Sequence, residues 1–255
     1  MAEVVIVGDS GAAGALVAEA IVALIEERPD AVLGLATGST PLPVYEALAA
    51  RSQGLDLSQV RGFALDEYVG LPAGHPESYR SVITREVVEP LGLVPERIQV
   101  PNGAAETIQH AGADYEAAIQ AAGGVDLQIL GIGSNGHIGF NEPTSSFASR
   151  TRIKTLAPQT RRDNARFFEN VADVPAHCIT QGLGTILDAR HLVLVAQGRS
   201  KAAAIAHAVE GPVSSVWPGS LLQLHRHATV IVDEAAASEL ELGEYYRYAF
   251  ANKPR

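Results

Sequence analysis

The sequence predicts an α/β fold in three layers, in which helices cover both faces of a mostly parallel central sheet. Short apolar runs of strand length alternate with longer stretches of helical periodicity along the chain. This is the order of elements that parallel βαβ units produce. Apolar residues make up 47% of the 255 residues, which is enough for a sizeable core beneath such a sheet.

The predicted strands are the short apolar runs. In chain order they are VVIV at 4–7, AVLGLAT at 31–37, RGFALDE at 61–67, RIQVP at 97–101, VDLQILGIG at 125–133, RTRIKTL at 150–156, HLVLVAQG at 191–198 and ATVIVD at 228–233.

The predicted helices occupy the stretches between these strands. An Ala-rich amphipathic stretch extends from Gly11 to Glu27, and TGSTPLPVYEALAAR follows the strand at 31–37. Further helical patterns lie near 77–89, 105–122, 159–169 and 199–210.

The chain shows no internal division. We see no linker, repeat, charge block or low-complexity segment, so we expect residues 1–255 to form a single domain. The segment 141–175 is irregular and charged, and it is our candidate for a mobile flap.

Charge and composition restrict the partners. The net charge of −10 argues against nucleic acid, which requires a basic face. The apolar runs are far shorter than the ~20 residues of a membrane-spanning helix, and the amino terminus lacks signal-peptide features. One cysteine, Cys178, rules out an internal disulfide framework. We therefore expect a cytoplasmic protein. Because its surface is acidic, binding of a small anion would need a pocket lined by basic residues.

The loop GIGSNGHIGFNEP at 131–143 begins with G-x-G-x-x-G spacing. A dinucleotide fingerprint would need the third glycine to open a long helix, with an acidic residue about 20 positions further on. Gly139 and Pro143 interrupt any helix after Gly136, which argues against that interpretation. The glycines instead predict a sharp backbone turn beside a ligand.

Such a turn would bring Asn135, His137 and Glu142 together. A histidine titrates near neutral pH and can both accept and donate a proton. The alternative is a structural histidine satisfied by its neighbours. The glycine-rich loop after a strand and the nearby glutamate favour a role in proton transfer.

Two other loops after predicted strands could bind an anion. Thr37, Gly38, Ser39 and Thr40 lie between a strand and a helix, where hydroxyls and backbone N–H groups can cradle a phosphate or carboxylate. Ordinary helix capping by Ser or Thr explains this composition equally well. Lys201 in GRSK is predicted in the first turn of a helix, where a bound anion would offset its unfavourable interaction with the helix dipole. A solvated surface lysine explains this position equally well.

The run FALDEYVGLP ends a predicted buried strand with two acids, Asp66 and Glu67. A carboxylate at the C-terminal edge of such a sheet is a candidate general base. A helix cap or a partner for an arginine is the alternative. We favour Asp66 as the base because it is nearer the strand.

Six motifs, taken together, resemble the glucosamine-6-phosphate deaminase family. They are LATGSTP, LDEYVGL, HPESY, GIGSNGHIGFNEP, SRTRIKTL and NARFF, and they cover about residues 30 to 235. LDEYVGL combined with GHIGFNEP is highly specific. The resemblance implies a Rossmann-like α/β fold, shared with 6-phosphogluconolactonase. It also implies conversion of D-glucosamine 6-phosphate and water to D-fructose 6-phosphate and ammonia, in amino-sugar catabolism, without metal or organic cofactor.

The resemblance also implies roles for the residues of two motifs. Asp66 matches the base that moves a proton between C2 and C1. His137 matches the histidine that opens the sugar ring, and Glu142 matches its acidic partner. Asn135 stands where some members of the family carry aspartate.

The remaining matches concern anion binding. The phosphate would be held by residues 37–40 with Arg166 and Lys201. Arg152 and Lys154 lie in a segment similar to the N-acetylglucosamine-6-phosphate activator site of regulated members. The regulated form also uses both termini, which this chain's termini match poorly, so we expect no allosteric activation.

Three alternative functions stay open. A galactosamine-6-phosphate deaminase would differ only in the C4 epimer that it accepts. A 6-phosphogluconolactonase-like enzyme would need no isomerising base. A binding protein that senses sugar phosphates would need neither Asp66 nor His137. Family members range from monomer to hexamer, so a homo-oligomer is compatible with the resemblance.

Overall fold

The computed structural model describes residues 2–253, in which parallel strands alternate with helices. The strands are β1 Glu3–Val7, β2 Val32–Leu35, β3 Arg61–Ala64, β4 Asp66–Tyr68, β5 Ile98–Gln99, β6 Leu127–Leu130, β7 Arg152–Thr155, β8 His177–Thr180, β9 His191–Ala196 and β10 Ala228–Asp233. The helices are α1 Ser10–Glu27, α2 Leu42–Arg51, α3 Tyr79–Ile83, α4 Glu89–Leu91, α5 Ile108–Ala121, α6 Pro158–Asn164, α7 Leu183–Leu187, α8 Ala202–Val209 and α9 Gly243–Ala251.

The central sheet has seven strands in the order β1-β10-β9-β6-β2-β3-β5. All six pairings are parallel; Val4 pairs with Val230 and Leu130 with Leu194, for example. Helices flank this sheet, so the structure confirms the predicted three-layer α/β class. No helix within residues 2–253 is long and apolar enough to cross a membrane.

The strand order places a crevice between β2 and β6. From β2 the chain proceeds outward through β3 to β5, and then returns to form β6 on the other side of β2. The loops after β2 and β6 therefore diverge to opposite faces at the C-terminal edge. In open α/β sheets, ligands bind at such a switch point.

A second sheet extends the molecule beside this edge. It has three antiparallel strands in the order β4-β8-β7, with Asp66 opposite Thr180 and Lys154 opposite Cys178. The prediction of one strand over 61–67 was wrong, because the chain leaves the central sheet after Ala64 and begins β4 at Asp66. The strand predicted at 150–156 exists as β7, but it belongs to this second sheet.

Each sheet has its own apolar cluster. The large cluster packs both faces of the central sheet, and the small one consists of Tyr68, Phe140, Leu156, Val174 and Cys178. Leu156 and Val174 belong to the segment 141–175, which also contains β7 and α6. Parts of that segment are therefore buried, whereas Phe167 and Val171 are exposed. The mobile flap over 141–175 stays a prediction.

Candidate active site

A cleft of about 540 Å³ opens at the switch point. Its walls come from the loops after β2, β6 and β9, the start of β4, and α6 with the turn that follows it. Among the residues predicted for the site, those that line this cleft are Thr37, Gly38, Ser39, Thr40, Asp66, His137, Arg166 and Lys201. These residues lie far apart in the sequence. Ends of parallel strands bring together residues 37–40, His137 and Lys201, whereas Asp66 comes from β4 and Arg166 from the turn after α6.

The loop after β2 forms one end of the cleft. Gly38 has a φ of 90°, a left-handed conformation that glycine adopts without strain. Pro41 is the N-cap residue of α2, and no side chain of the described residues caps this helix. The hydroxyls of Thr37, Ser39 and Thr40 are therefore not used for capping, which removes the structural alternative raised from the sequence.

Two cations face this loop. Arg166 Nη2 donates a hydrogen bond to Ser39 Oγ at 3.3 Å, which connects the turn after α6 to the loop. Lys201 lies in a short 3₁₀ turn, Arg199–Lys201, immediately before α8 rather than within that helix. Burial lowers the pKa of Lys201; Asp163 opposes that shift and Arg166 reinforces it. This end of the cleft is therefore suited to an anionic group.

The loop after β6 turns back on itself, as the glycines predict. Gly136 and Gly139 have φ values of 82° and 53°. The imidazole of His137 lies against the backbone of Gly133, where any Cβ atom would collide with the ring. These glycines serve a tight turn and a close ring contact, and no long helix follows them. The structure thus agrees with the rejection of a dinucleotide fingerprint.

Asn135, His137 and Glu142 form one cluster. His137 Nδ1 lies 3.8 Å from Glu142 Oε2, and Asn135 Nδ2 donates a hydrogen bond of 2.9 Å to the same oxygen. Asn135 Oδ1 accepts the backbone N–H of His137 at 3.2 Å. Thr160 Oγ1 and the Ala157 N–H donate to Glu142 Oε1 at 2.6 and 2.9 Å. These donors hold the Glu142 carboxylate beside the imidazole.

Neither Asn135 nor Glu142 lines the cleft directly. Burial lowers the pKa of His137; Glu142 opposes that shift and Lys201 reinforces it. The imidazole is therefore favoured in its neutral form at neutral pH, as a proton-transfer group requires. Glu142 can then stabilise the charge when the ring accepts a proton.

Asp66 lies at the start of β4, lines the cleft and is 6% exposed. Burial raises its pKa well above the usual carboxyl range; the neighbouring Glu67 adds to the shift, and the backbone N–H of Phe140 opposes it. A Cβ atom built at Gly139 would lie 3.5 Å from Asp66 Oδ2. The loop bearing His137 therefore lies close to this carboxyl at Gly139.

Glu67 has a different environment from Asp66. Its Oε1 accepts the backbone N–H groups of Tyr68 and Tyr79, both at 2.8 Å, and its Oε2 accepts that of Arg80 at 2.9 Å. Three N–H donors engage the two oxygens, and two of them, those of Tyr79 and Arg80, belong to the first turn of α3. Glu67 is therefore committed to holding α3, whereas Asp66 faces the cleft.

Arg152 and Lys154 lie on β7 and are not among the described residues that line the cleft. Arg152 Nη1 donates to Asn141 Oδ1 at 2.7 Å, so it contacts the residue that precedes Glu142. The structure also adds Thr180 on β8, which the sequence did not indicate. Thr180 Oγ1 accepts the Phe140 N–H at 3.1 Å and so attaches the second sheet to the loop that carries His137.

A family model for glucosamine-6-phosphate isomerases and 6-phosphogluconolactonases matches residues 10–231. The chain belongs to this family. A glucosamine-6-phosphate deaminase from Pseudarthrobacter chlorophenolicus is 63% identical over 253 residues, covering 99% of this chain and 98% of the relative. A glucosamine-6-phosphate deaminase from Mycolicibacterium smegmatis is 60% identical over 255 residues, with the same coverage of both chains.

Solved structures place the fold within the same family. A monomeric glucosamine-6-phosphate deaminase superposes with a TM-score of 0.90 at 40% identity, covering 93% of this chain and 99% of its own. The 6-phosphogluconolactonase from Trypanosoma cruzi gives a TM-score of 0.77 at 19% identity, covering 94% and 97%. The second likeness concerns the fold alone.

Proposed function

We propose that this chain is a hydrolytic deaminase that converts D-glucosamine 6-phosphate and water to D-fructose 6-phosphate and ammonia. One observation carries the proposal: a buried carboxyl, Asp66, and the imidazole of His137 line a single cleft together with the cations Arg166 and Lys201. The 63% and 60% identical relatives of the same length, both glucosamine-6-phosphate deaminases, support it.

The phosphate would occupy the cationic end of the cleft. Hydroxyls of residues 37–40, the guanidinium of Arg166 and the ammonium of Lys201 converge there. The phosphate takes no part in the chemistry, but its binding energy holds the sugar's C1 and C2 in position near His137 and Asp66. This explains why cations are collected in a protein of net charge −10.

Ring opening is assigned to His137. The imidazole accepts the proton of the C1 hydroxyl and delivers a proton to the ring oxygen, and the C1–O5 bond breaks to give the open aldehyde. Glu142 stabilises the imidazolium that forms between the two transfers. Asn135 is an amide and transfers no proton itself, so its role is to hold Glu142 and the loop backbone.

Proton transfer between carbons is assigned to Asp66. The carboxylate takes the C2 proton of the open aldehyde while the substrate ammonium passes a proton to the C1 carbonyl oxygen, which leaves an enolamine. Asp66 then returns the C2 proton to C1. One base serves both carbons because they are adjacent. Burial raises the pKa of Asp66, which makes the ionised form a stronger base, and a nearby substrate ammonium favours that ionised form.

Hydrolysis completes the reaction. The proton returned to C1 leaves a C2 iminium, the protonated form of fructosimine 6-phosphate. Water adds to C2, the C2–N bond breaks, and ammonia departs while the C2 carbonyl forms. The sum is one amino sugar phosphate and one water consumed, with one ketose phosphate and one ammonia produced.

A lactonase of the same fold is the second candidate. Lactone hydrolysis uses an anion site and a histidine but no base that moves a proton between carbons. The buried, cleft-facing carboxyl of Asp66 therefore favours the deaminase.

The test is an ammonia-release and hydrolysis assay with four substrates side by side: glucosamine 6-phosphate, galactosamine 6-phosphate, 6-phosphogluconolactone and unphosphorylated glucosamine. We expect ammonia release from the glucosamine ester, persisting in excess EDTA, and very slow turnover of unphosphorylated glucosamine. Activity confined to the lactone would reject the proposal, and preference for the galactosamine ester would change the assigned epimer. Loss of activity on chelation would contradict the metal-free chemistry.

A further inference from the structure

The connection between α8 and β10 contacts both ends of the loop that carries His137. Within this segment, residues 211–219, the Gly219 N–H donates to the carbonyl of Gly136 at 2.8 Å, and the carbonyl of Ser215 accepts the Thr144 N–H at 2.7 Å. His137 and Glu142 lie between these two attachments. The segment therefore supports the loop at both ends.

Thr144, which makes the second attachment, has a backbone conformation that threonine does not favour. Its φ of 75° is left-handed, and it is the one non-glycine with a positive φ within residues 2–253. A threonine persists in this conformation only where its surroundings enforce it. The hydrogen bond to Ser215 is the contact from segment 211–219 that helps to do so.

Trp217 provides the side-chain part of this support. A Cβ atom built at Gly136 would lie 2.5 Å from Trp217 Cε3, so the indole packs directly against the bare backbone of Gly136. The indole also stacks on the His207 ring at a centroid distance of 4.0 Å and an angle of 16°. His207 is in the last turn of α8, whose first residue follows Lys201.

The segment is rigid enough to act as a support. Ser214 and Trp217 form an antiparallel bridge, and the fully buried Ser220 bonds both the N–H and the carbonyl of Ser214, at 2.8 and 3.0 Å. Gln223 Nε2 donates to the carbonyls of Ala208 and Gly211 at 3.0 and 2.8 Å. The turn bearing Trp217 is thus fixed to the C-terminal end of α8.

We propose that Trp217 is a positioning residue for His137: packed against Gly136 and stacked on His207, it holds the catalytic loop from outside the cleft. Trp217 is not among the described residues that line the cleft, so it acts through the loop. The assignment of chemistry to His137 rests on the proposed function, whereas the packing argument does not.

Removing the indole would leave a void behind Gly136. The loop could then move toward the void and change the 3.8 Å separation between His137 Nδ1 and Glu142 Oε2. The phosphate end of the cleft, formed by residues 37–40, Arg166 and Lys201, would keep its own contacts. The expected effect is a loss of turnover with little loss of binding, since displacements of about 1 Å can cost ~100-fold in rate.

The kinetic test compares Trp217→Ala, Trp217→Leu and Trp217→Phe with Tyr248→Ala, which removes an exposed aromatic ring on α9. We expect Trp217→Ala to lower kcat by about tenfold or more with KM changed less than about threefold, and Trp217→Phe to retain most activity. Trp217→Leu keeps apolar volume and replaces Trp217→Ala if that variant is insoluble. Turnover of the alanine or leucine variant within about threefold of the Tyr248→Ala control would overturn the proposal.

A second measurement does not depend on activity. Histidine side-chain NMR titrations, with the His137 signal identified by its absence in His137→Gln, report the pKa of this ring. In the tested Trp217→Ala or Trp217→Leu variant, water should reach the ring and its pKa should rise toward the ordinary value, while Tyr248→Ala leaves it unchanged. An unchanged titration overturns the proposal whatever the kinetics. Should the wild-type protein release no ammonia, the proposed function fails, and this titration still decides the role of Trp217.

Discussion

Replacing Asp66 with asparagine tests both the chemistry and the physical origin of its reactivity. The substitution keeps the shape of the side chain and removes its basic lone pair and its charge. Loss of a general base costs ~10²–10⁴-fold in rate, so ammonia release should fall by at least that range. The variant should still bind the sugar phosphate and open the ring. It should no longer exchange the hydrogens at C1 and C2 with deuterated water.

The same substitution should stabilise the fold at neutral and alkaline pH. Burial raises the pKa of Asp66 above its value in the unfolded chain. The carboxyl therefore contributes stability to the fold at pH values below the unfolded pKa, and this stability is lost as the pH rises through the folded pKa and the buried group ionises. Relieving the buried charge should add roughly 1–3 kcal/mol to the unfolding free energy near pH 8. In a chain of this length that raises Tm by about 2–4 °C per kcal/mol. Below about pH 4, where the wild-type carboxyl is protonated in both states, the gain should disappear.

Glu67→Gln is the matched control for this experiment. Glu67 is also a buried carboxylate, but it accepts three backbone N–H groups. In Glu67→Gln, one of the two acceptor oxygens becomes an NH₂ group, which would face a backbone N–H donor instead of accepting a hydrogen bond from it. The lost hydrogen bond should lower Tm. Calorimetry across the pH range measures both effects. Solvent exchange at near wild-type rate in Asp66→Asn would move the base role to Glu67 or Glu142, and a lower Tm at every pH would refute the stability argument.

Three further predictions concern the rest of the site. Lys201→Ala should lower kcat/KM for the phosphorylated substrate by well over tenfold, since truncating one partner of a buried charged pair costs ~2–5 kcal/mol; wild-type kinetics would place Lys201 outside the phosphate site. His137→Gln should slow conversion of the cyclic sugar by ~10²–10⁴-fold and leave binding of a locked open-chain analogue nearly unchanged, and normal turnover of the cyclic sugar would contradict its role in ring opening. Steady-state kinetics should be hyperbolic and respond little to N-acetylglucosamine 6-phosphate, whereas sigmoidal kinetics relieved by that ligand would assign Arg152 and Lys154 to an allosteric site.

Local sequence patterns were sufficient to predict the strands of the central sheet and the position of the cleft. Short apolar runs predicted the seven strands of the central sheet and β7, but neither β8 nor the separation of β4 from β3. Glycines such as Gly136 marked the turn that distinguishes the loop after β6 from a nucleotide fingerprint. Because parallel strands end at one edge, loops distant in sequence could be expected to share one cleft. These inferences depend only on periodicity and on backbone conformations available to each residue type.

The tertiary structure decided how those groups are tuned. The pairing of β4 with β8, the Thr180 contact to the catalytic loop and the packing of Trp217 on Gly136 join residues tens of positions apart, and no local pattern encodes such pairings. The separate environments of Asp66 and Glu67 depend on the same long-range packing. Burial and hydrogen-bond donors from distant segments set the protonation of each carboxyl, so adjacent acids in one motif acquire different functions only when the chain is folded.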